Sequence, residues 1–196
     1  TATLTHKASG ATYACVAIRK GAWPFLAGTL AKFIQNCGQP NVTIRGDGED
    51  SLQSLIKACA AVLRTQGFVV DMQSTPVSSH QSIGSAERHH AIVGSFVRVM
   101  LSVIRRKTGI VVMPTMRLFA WTLRHAGYLV TFRHIRTNGQ TSWMMLNGAD
   151  VKHRLVPFGE AVMYRIQDGD APRSKAMPRW ERAIWVGVCH DGQHIL

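Results

Sequence analysis

Apolar residues recur along the chain at two spacings, one suited to strands and one to helices. Between Thr12 and Ile18, β-branched and aromatic residues crowd together and predict a strand, ended by Arg19-Lys20-Gly21. After Trp23-Pro24, the residues Leu26, Leu30, Phe33, Ile34 and Cys37 return at helical intervals. They predict a helix with Pro24 in its first turn and Gly38 as its stop. Val42 to Arg45 reads as a short strand running into Gly46-Asp47-Gly48. Leu52, Leu55, Ile56, Cys59, Val62 and Leu63 then line one face of a second helix, capped by Asp50 or Ser51 and ended by Gly67. Phe68 to Met72 gives a third strand.

The pattern breaks over Gln73 to Ser85, a polar stretch with Pro76, Ser78, Ser79, Ser82 and Gly84 that predicts a long loop. A long helix is expected from Ala86 to about Lys107, with Ile92, Phe96, Val99, Met100 and Val103 at helical spacing. Arg105-Arg106-Lys107 suits its negative C-terminal end. Another helix is expected over Pro114 to Tyr128, followed by turns at Asn138-Gly139 and Asn147-Gly148. Strands alternating with helices make this an α/β core over residues 1–150. Beyond Phe158 the runs shorten, Ala161 to Ile166 and Ala183 to Cys189, around a charged Asp168 to Arg179 loop. These predict a small β-rich module within 151–196.

Composition narrows the class. A chain of 196 residues, 46% apolar and 17% charged, can bury one good core plus a small appendage. No run of about 18 apolar residues lacks a charge, so a membrane span is not expected. The opening Thr-Ala-Thr-Leu-Thr-His-Lys has no signal-peptide pattern and reads as a cut inside a longer polypeptide. The 23 Lys and Arg against 11 Asp and Glu leave a net charge of +12 dispersed along the chain. That excess fits either a polyanionic partner such as nucleic acid or a plain basic surface. Cys15, Cys37, Cys59 and Cys189 are widely spaced in apolar surroundings and read as buried thiols of a reducing compartment.

Asp47 stands at the end of a strand and before a helix, where active-site acids of open α/β sheets sit, but a turn aspartate capping that helix is the simpler reading. Glu87 is expected to open a long helix directly after a polar loop, where an ordinary first-turn acid would also be favoured. As a pair they point to a hard divalent cation, for which carboxylate oxygens are the preferred ligands. Two such ions need more than two carboxylates, and Thr1 to Gly46 contains no Asp or Glu. Glu49 and Asp50 lie on the wrong side of the turn to be presumed ligands, and Asp71 ends the third strand with no motif around it. At 100° per residue, Ala91, Gly94, Arg98 and Arg105 share the azimuth of Glu87, placing small residues beside the acid and arginines further along for phosphates. Arg88, His89 and His90 are further candidates for phosphate contact. His190 and His194 have a metal-like spacing, but with Cys189 as their neighbour they read as incidental.

Ser9 to Ala14 with Arg19-Lys20-Gly21, Ile44 to Glu49, Pro76 through Gly84 to Arg88, and Ile92 to Arg98, taken in order, resemble the integrase core of copia-type LTR retrotransposons. Phe158 to Val162 and Arg179 to Gly187 resemble the segment that follows such cores. The resemblance implies a ribonuclease H-like fold with a mixed central sheet and flanking helices, followed by a partial SH3-like β module. It implies Mg²⁺ or Mn²⁺ held by an Asp, Asp, Glu triad, with Asp47 matching the second aspartate and Glu87 the glutamate. The first aspartate, and the strand that bears it, would precede Thr1. The implied activity is 3′-end processing of retroelement DNA and its transfer into target DNA in the nucleus, after a cytoplasmic particle stage, by a homo-oligomer of the parent protein. Arg88, His90, Gly94, Arg98 and Arg105 would meet DNA. The sequence departs from the family pattern at Gly48 to Ser51 and at Ile83. A non-catalytic nucleic-acid-binding module from a decayed or domesticated element is the alternative.

Overall fold

The computed structural model describes residues 1–75, 80–151, 155–166, 178–188 and 194–196, with backbone alone for 80–83. The chain opens with a hairpin. Strand β1 (Ala2–Thr5) pairs antiparallel with β2 (Thr12–Cys15), Ala2 opposite Cys15 and Thr5 opposite Thr12. The connecting turn is closed by the Gly10 N–H donating to the His6 carbonyl at 2.7 Å and the His6 N–H donating to the Ala11 carbonyl at 2.8 Å. Gly10 takes φ +74° there, a conformation that suits glycine. β2 stops at Cys15 rather than Ile18, whose side chain is exposed.

Helix α1 (Pro24–Asn36) starts at Pro24, whose missing N–H would have had no helical partner in any case. Strand β3 (Asn41–Gly46), helix α2 (Asp50–Thr65) and strand β4 (Val69–Ser74) form a β-α-β unit with parallel pairing, Val42 opposite Val70 and Gly46 opposite Ser74. Glu49 holds the cap position of α2 without a side-chain capping bond, and Asp50 is the acid of its first turn. Among the described residues β1-β2 and β3-β4 are two separate two-stranded sheets. The single mixed central sheet expected from the sequence is therefore replaced by two strand pairs that share a core. Tyr13 and Cys15 from one pair join Ile44 and Val70 from the other, with Leu26, Ile34, Leu55 and Leu63 of α1 and α2.

Helix α3 (His80–Thr108) is longer than expected, and with α4 (Arg117–Phe132) it builds a second cluster from Val93, Val97, Met100, Ile104, Leu123, Ala126 and Val130. The two clusters meet at β2, whose alternation sends Tyr13 and Cys15 to one and Ala14 to the other. Helix α4 lies close against β2, because a Cβ on Gly127 would stand 2.9 Å from the Ala14 nitrogen. A short helix α5 (Ser142–Asn147) follows, with the Thr141 hydroxyl accepting from the Met144 N–H at 3.1 Å and Gly148 closing it at φ +70°. No described helix is long and apolar enough to cross a membrane.

Among the described residues of the C-terminal region, β5 (Ala161–Arg165) pairs antiparallel with β6 (Trp180–Ile184), and β7 (Gly187–Val188) with β8 (His194–Ile195). The region returns to the second cluster through Phe158, Trp185 and Val188. Trp185 is 1% exposed, sits edge-on to the His125 ring of α4, and donates through Nε1 to His194 Nδ1 at 2.9 Å. Cys189 and His190 lie outside the described residues.

Candidate active site

Asp47 leaves the C-terminal end of β3 and is exposed. Its Oδ1 accepts from the Gly48 N–H at 2.7 Å, and its own carbonyl accepts from Gln53 Nε2 at 2.6 Å. The turn is thus pinned to α2 while the rest of the carboxylate faces outward. The preceding glycine has a steric reason: a Cβ on Gly46 would come within 2.5 Å of Ile56 Cδ1 and 3.1 Å of Leu52 Cδ2. A side chain here would have to displace the ends of Ile56 and Leu52, so glycine lets β3 pass close over α2 and deliver Asp47 to its edge.

Two of the neighbouring acids, Glu49 and Asp71, are engaged by other side chains. Glu49 pairs with Lys20 at 2.6 Å and accepts from the Ser51 hydroxyl at 2.7 Å; the Lys20 hydrogen bond, then that of Ser51, holds its carboxyl below the ordinary value. Asp71 accepts from Gln73 Nε2 at 2.9 Å, and Gln73 in turn accepts from Arg45 at 2.6 Å.

Glu87 is exposed on α3 but does not open it. The helix begins at His80, about two turns earlier, so Gly84 lies inside a helix and the expected loop over 73–85 is shortened from both ends. The physical reason is that Gln73 and Ser74 extend the β4 ladder, while a polar His80 to Ser85 run can still propagate a helix nucleated on the apolar face beyond it. Pro76, Ser78 and Ser79 lie outside the described residues.

The rest of the Glu87 face is open. Ala91, Arg98 and Arg105 are exposed and Gly94 is half-exposed, as the shared azimuth requires. Arg98 Nη2 donates to the Ser95 hydroxyl at 2.8 Å, which steadies the guanidinium along the helix. Arg88 and His90 are also exposed, and His90 Nδ1 lies 3.2 Å from the Thr3 hydroxyl of β1. Among the described residues no group of three or more His, Cys, Asp and Glu side chains is placed to hold a metal ion. Asp47 and Glu87 are suitable in donor type for a hard cation, but they do not by themselves make a complete centre.

Sequence reading missed Arg136, which the fold carries to the hairpin turn at Gly10 and to His89 of α3. No local pattern marks it.

No protein-family model matches the chain, and no curated protein matches its sequence. Among solved structures, it is similar to the human T-cell lymphotropic virus HTLV-2 integrase catalytic core domain in complex with magnesium, a dimeric form. The TM-score there is 0.48 at 12% identity, over 75% of this chain and 82% of that one. It is also similar to a chain of the simian T-cell lymphotropic virus intasome in complex with PP2A regulatory subunit B56 gamma, with a TM-score of 0.53 at 15% identity, over 92% of this chain and 59% of that one. At such identities the likeness concerns the fold, and the second match carries it: the chain has a mixed α/β fold of the kind found in a retroviral integration complex.

Proposed function

We propose that this chain is the greater part of a retrotransposon-type integrase core, which processes the 3′ ends of element DNA and joins them to a target. The observation that carries the reading is the setting of Asp47 and Glu87. One acid lies at the mouth of a β-α-β unit and the other on a long exposed basic helix face, within a fold similar to that of a chain from an intasome. In this reading the two carboxylates belong to an acidic set for Mg²⁺ or Mn²⁺, which needs at least one further carboxylate beside them. Arg88, His90, Arg98 and Arg105 line the DNA path, with Gly94 allowing close approach. The working assembly is a homo-oligomer on DNA, and its place of action is the nucleus.

The test is strand transfer by a polypeptide that contains this chain. The expected result is divalent-metal-dependent joining of a 3′ end to target DNA, abolished by Asp47→Asn and by Glu87→Gln. A well-folded polypeptide that binds DNA but joins nothing would instead support the second reading, a non-catalytic nucleic-acid-binding module. That reading draws on the net charge of +12, which suits a polyanionic partner without any chemistry.

A further inference from the structure

Arg136 is half-buried, and among the described residues no carboxylate forms an ion pair with it. Its Nη1 instead donates to the Ala8 carbonyl at 3.3 Å and approaches Met145 Sδ at 3.7 Å. The guanidinium lies over the β1-β2 turn at a point that only glycine leaves open. A Cβ on Gly10 would stand 2.7 Å from Arg136 Nη1 and 3.0 Å from His89 Nε2. Three elements therefore converge on one spot: the hairpin turn, α3, and the loop carrying Arg136.

Each of them is held in place. The His6 ring and Ser9 hydroxyl bond at 2.8 Å within the turn. Arg136 N–H donates to the Gln140 carbonyl at 3.0 Å, and Gly139 N–H returns to the Arg136 carbonyl at 2.9 Å. His89 Nδ1 donates to the Ser85 carbonyl at 2.8 Å, which turns Nε2 toward Gly10. A guanidinium fixed by neutral acceptors keeps its charge unanswered and has little ordering entropy left to lose. Lys7, exposed on the same turn, and Arg88, exposed beside His89, add to the positive field.

We propose that Arg136, with Lys7, is an anchor for a backbone phosphate of DNA. The planar fork of arginine matches two phosphate oxygens at once, and a net charge of +12 favours a polyanion over a single anionic ligand. His89 lies about 200° around α3 from Glu87. The phosphate held here therefore belongs to a different stretch of nucleic acid from the one passing the acid. This contact rests on the DNA-binding reading above.

The test is binding of a short labelled duplex to the full chain, followed by fluorescence anisotropy over a salt series. Arg136→Gln should weaken binding severalfold and reduce the slope of log affinity against log salt by about 0.9, the share of one phosphate. Arg136→Lys should keep the slope while recovering only part of the affinity. Lys7→Gln, at an exposed position where folding is not at stake, should also flatten the slope. If Arg136→Gln misfolds by circular dichroism, Arg136→Lys and Lys7→Gln decide the matter. Duplex binding by the wild type that these variants leave unchanged overturns the anchor and spares the DNA reading; a wild type that binds no duplex overturns both.

Discussion

The Thr131 hydroxyl answers both backbone groups of Thr12: it accepts from the Thr12 N–H at 2.9 Å and donates to the Thr12 carbonyl at 3.0 Å. Both residues are buried, so one side chain of α4 serves the backbone of β2 as a neighbouring strand would. Thr131→Val keeps the shape but strands a buried donor and a buried acceptor. The expected loss is about 2–4 kcal/mol in urea unfolding. Thr131→Ser should lose much less, and equal losses for the two variants would show that packing rather than the hydroxyl matters.

One turn earlier on the same helix face, Gly127 allows the approach that makes this contact possible. An added Cβ would meet the Ala14 nitrogen at 2.9 Å, the Thr12 carbonyl oxygen at 3.2 Å and Ala14 Cβ at 3.3 Å. These are mainly backbone atoms that cannot swing aside. Alanine is the better helix former by about 1 kcal/mol, yet overpacking costs about 1–3 kcal/mol. Gly127→Ala should therefore be neutral to destabilising, and it should weaken the Thr131 coupling in a double-mutant cycle. A stabilised variant would refute the tight crossing.

His125 gives the fold a pH dependence with a definite sign. Its ring is stacked between Tyr128 and Phe158, 3% exposed, and its Nδ1 has no hydrogen-bond partner among the described residues. Burial pushes its pKa down to about 4, against an ordinary 6.5. The unfolded chain therefore takes the proton first as pH falls, and stability that is complete above about pH 6.5 is lost progressively toward pH 4. The contribution is about 3 kcal/mol. His125→Phe fits the same stack and should flatten the dependence of unfolding free energy on pH in that window. An unchanged slope in that variant would place the effect on the carboxylates instead.

Much of this architecture is legible in the sequence where periodicity is long. Helices α1, α2 and α4 and strands β3 and β4 follow from runs such as Leu52 to Leu63 and from glycine stops, with shifts of a few residues at their ends. β1 was not foreseen, because Ala-Thr-Leu-Thr is too short to show a period and is a strand only through its pairing with β2. The early start of α3 was hidden by the polar His80 to Ser85 run. The strand-end place of Asp47 could be read locally, whereas Arg136 meets Ala8 across 128 positions and Gly10 with it. Such convergence has no sequence period and appears only when the chain has closed.

The seat of Trp185 on α4 also sets a schedule for synthesis. Sixty residues of chain separate His125 from Trp185. At roughly 5–20 residues per second, the aromatic face of α4 is made ~3–12 s before its cover emerges. In that interval the nascent domain displays His125, Tyr128 and their neighbours to the cell, and this is when a chaperone would find the most to hold.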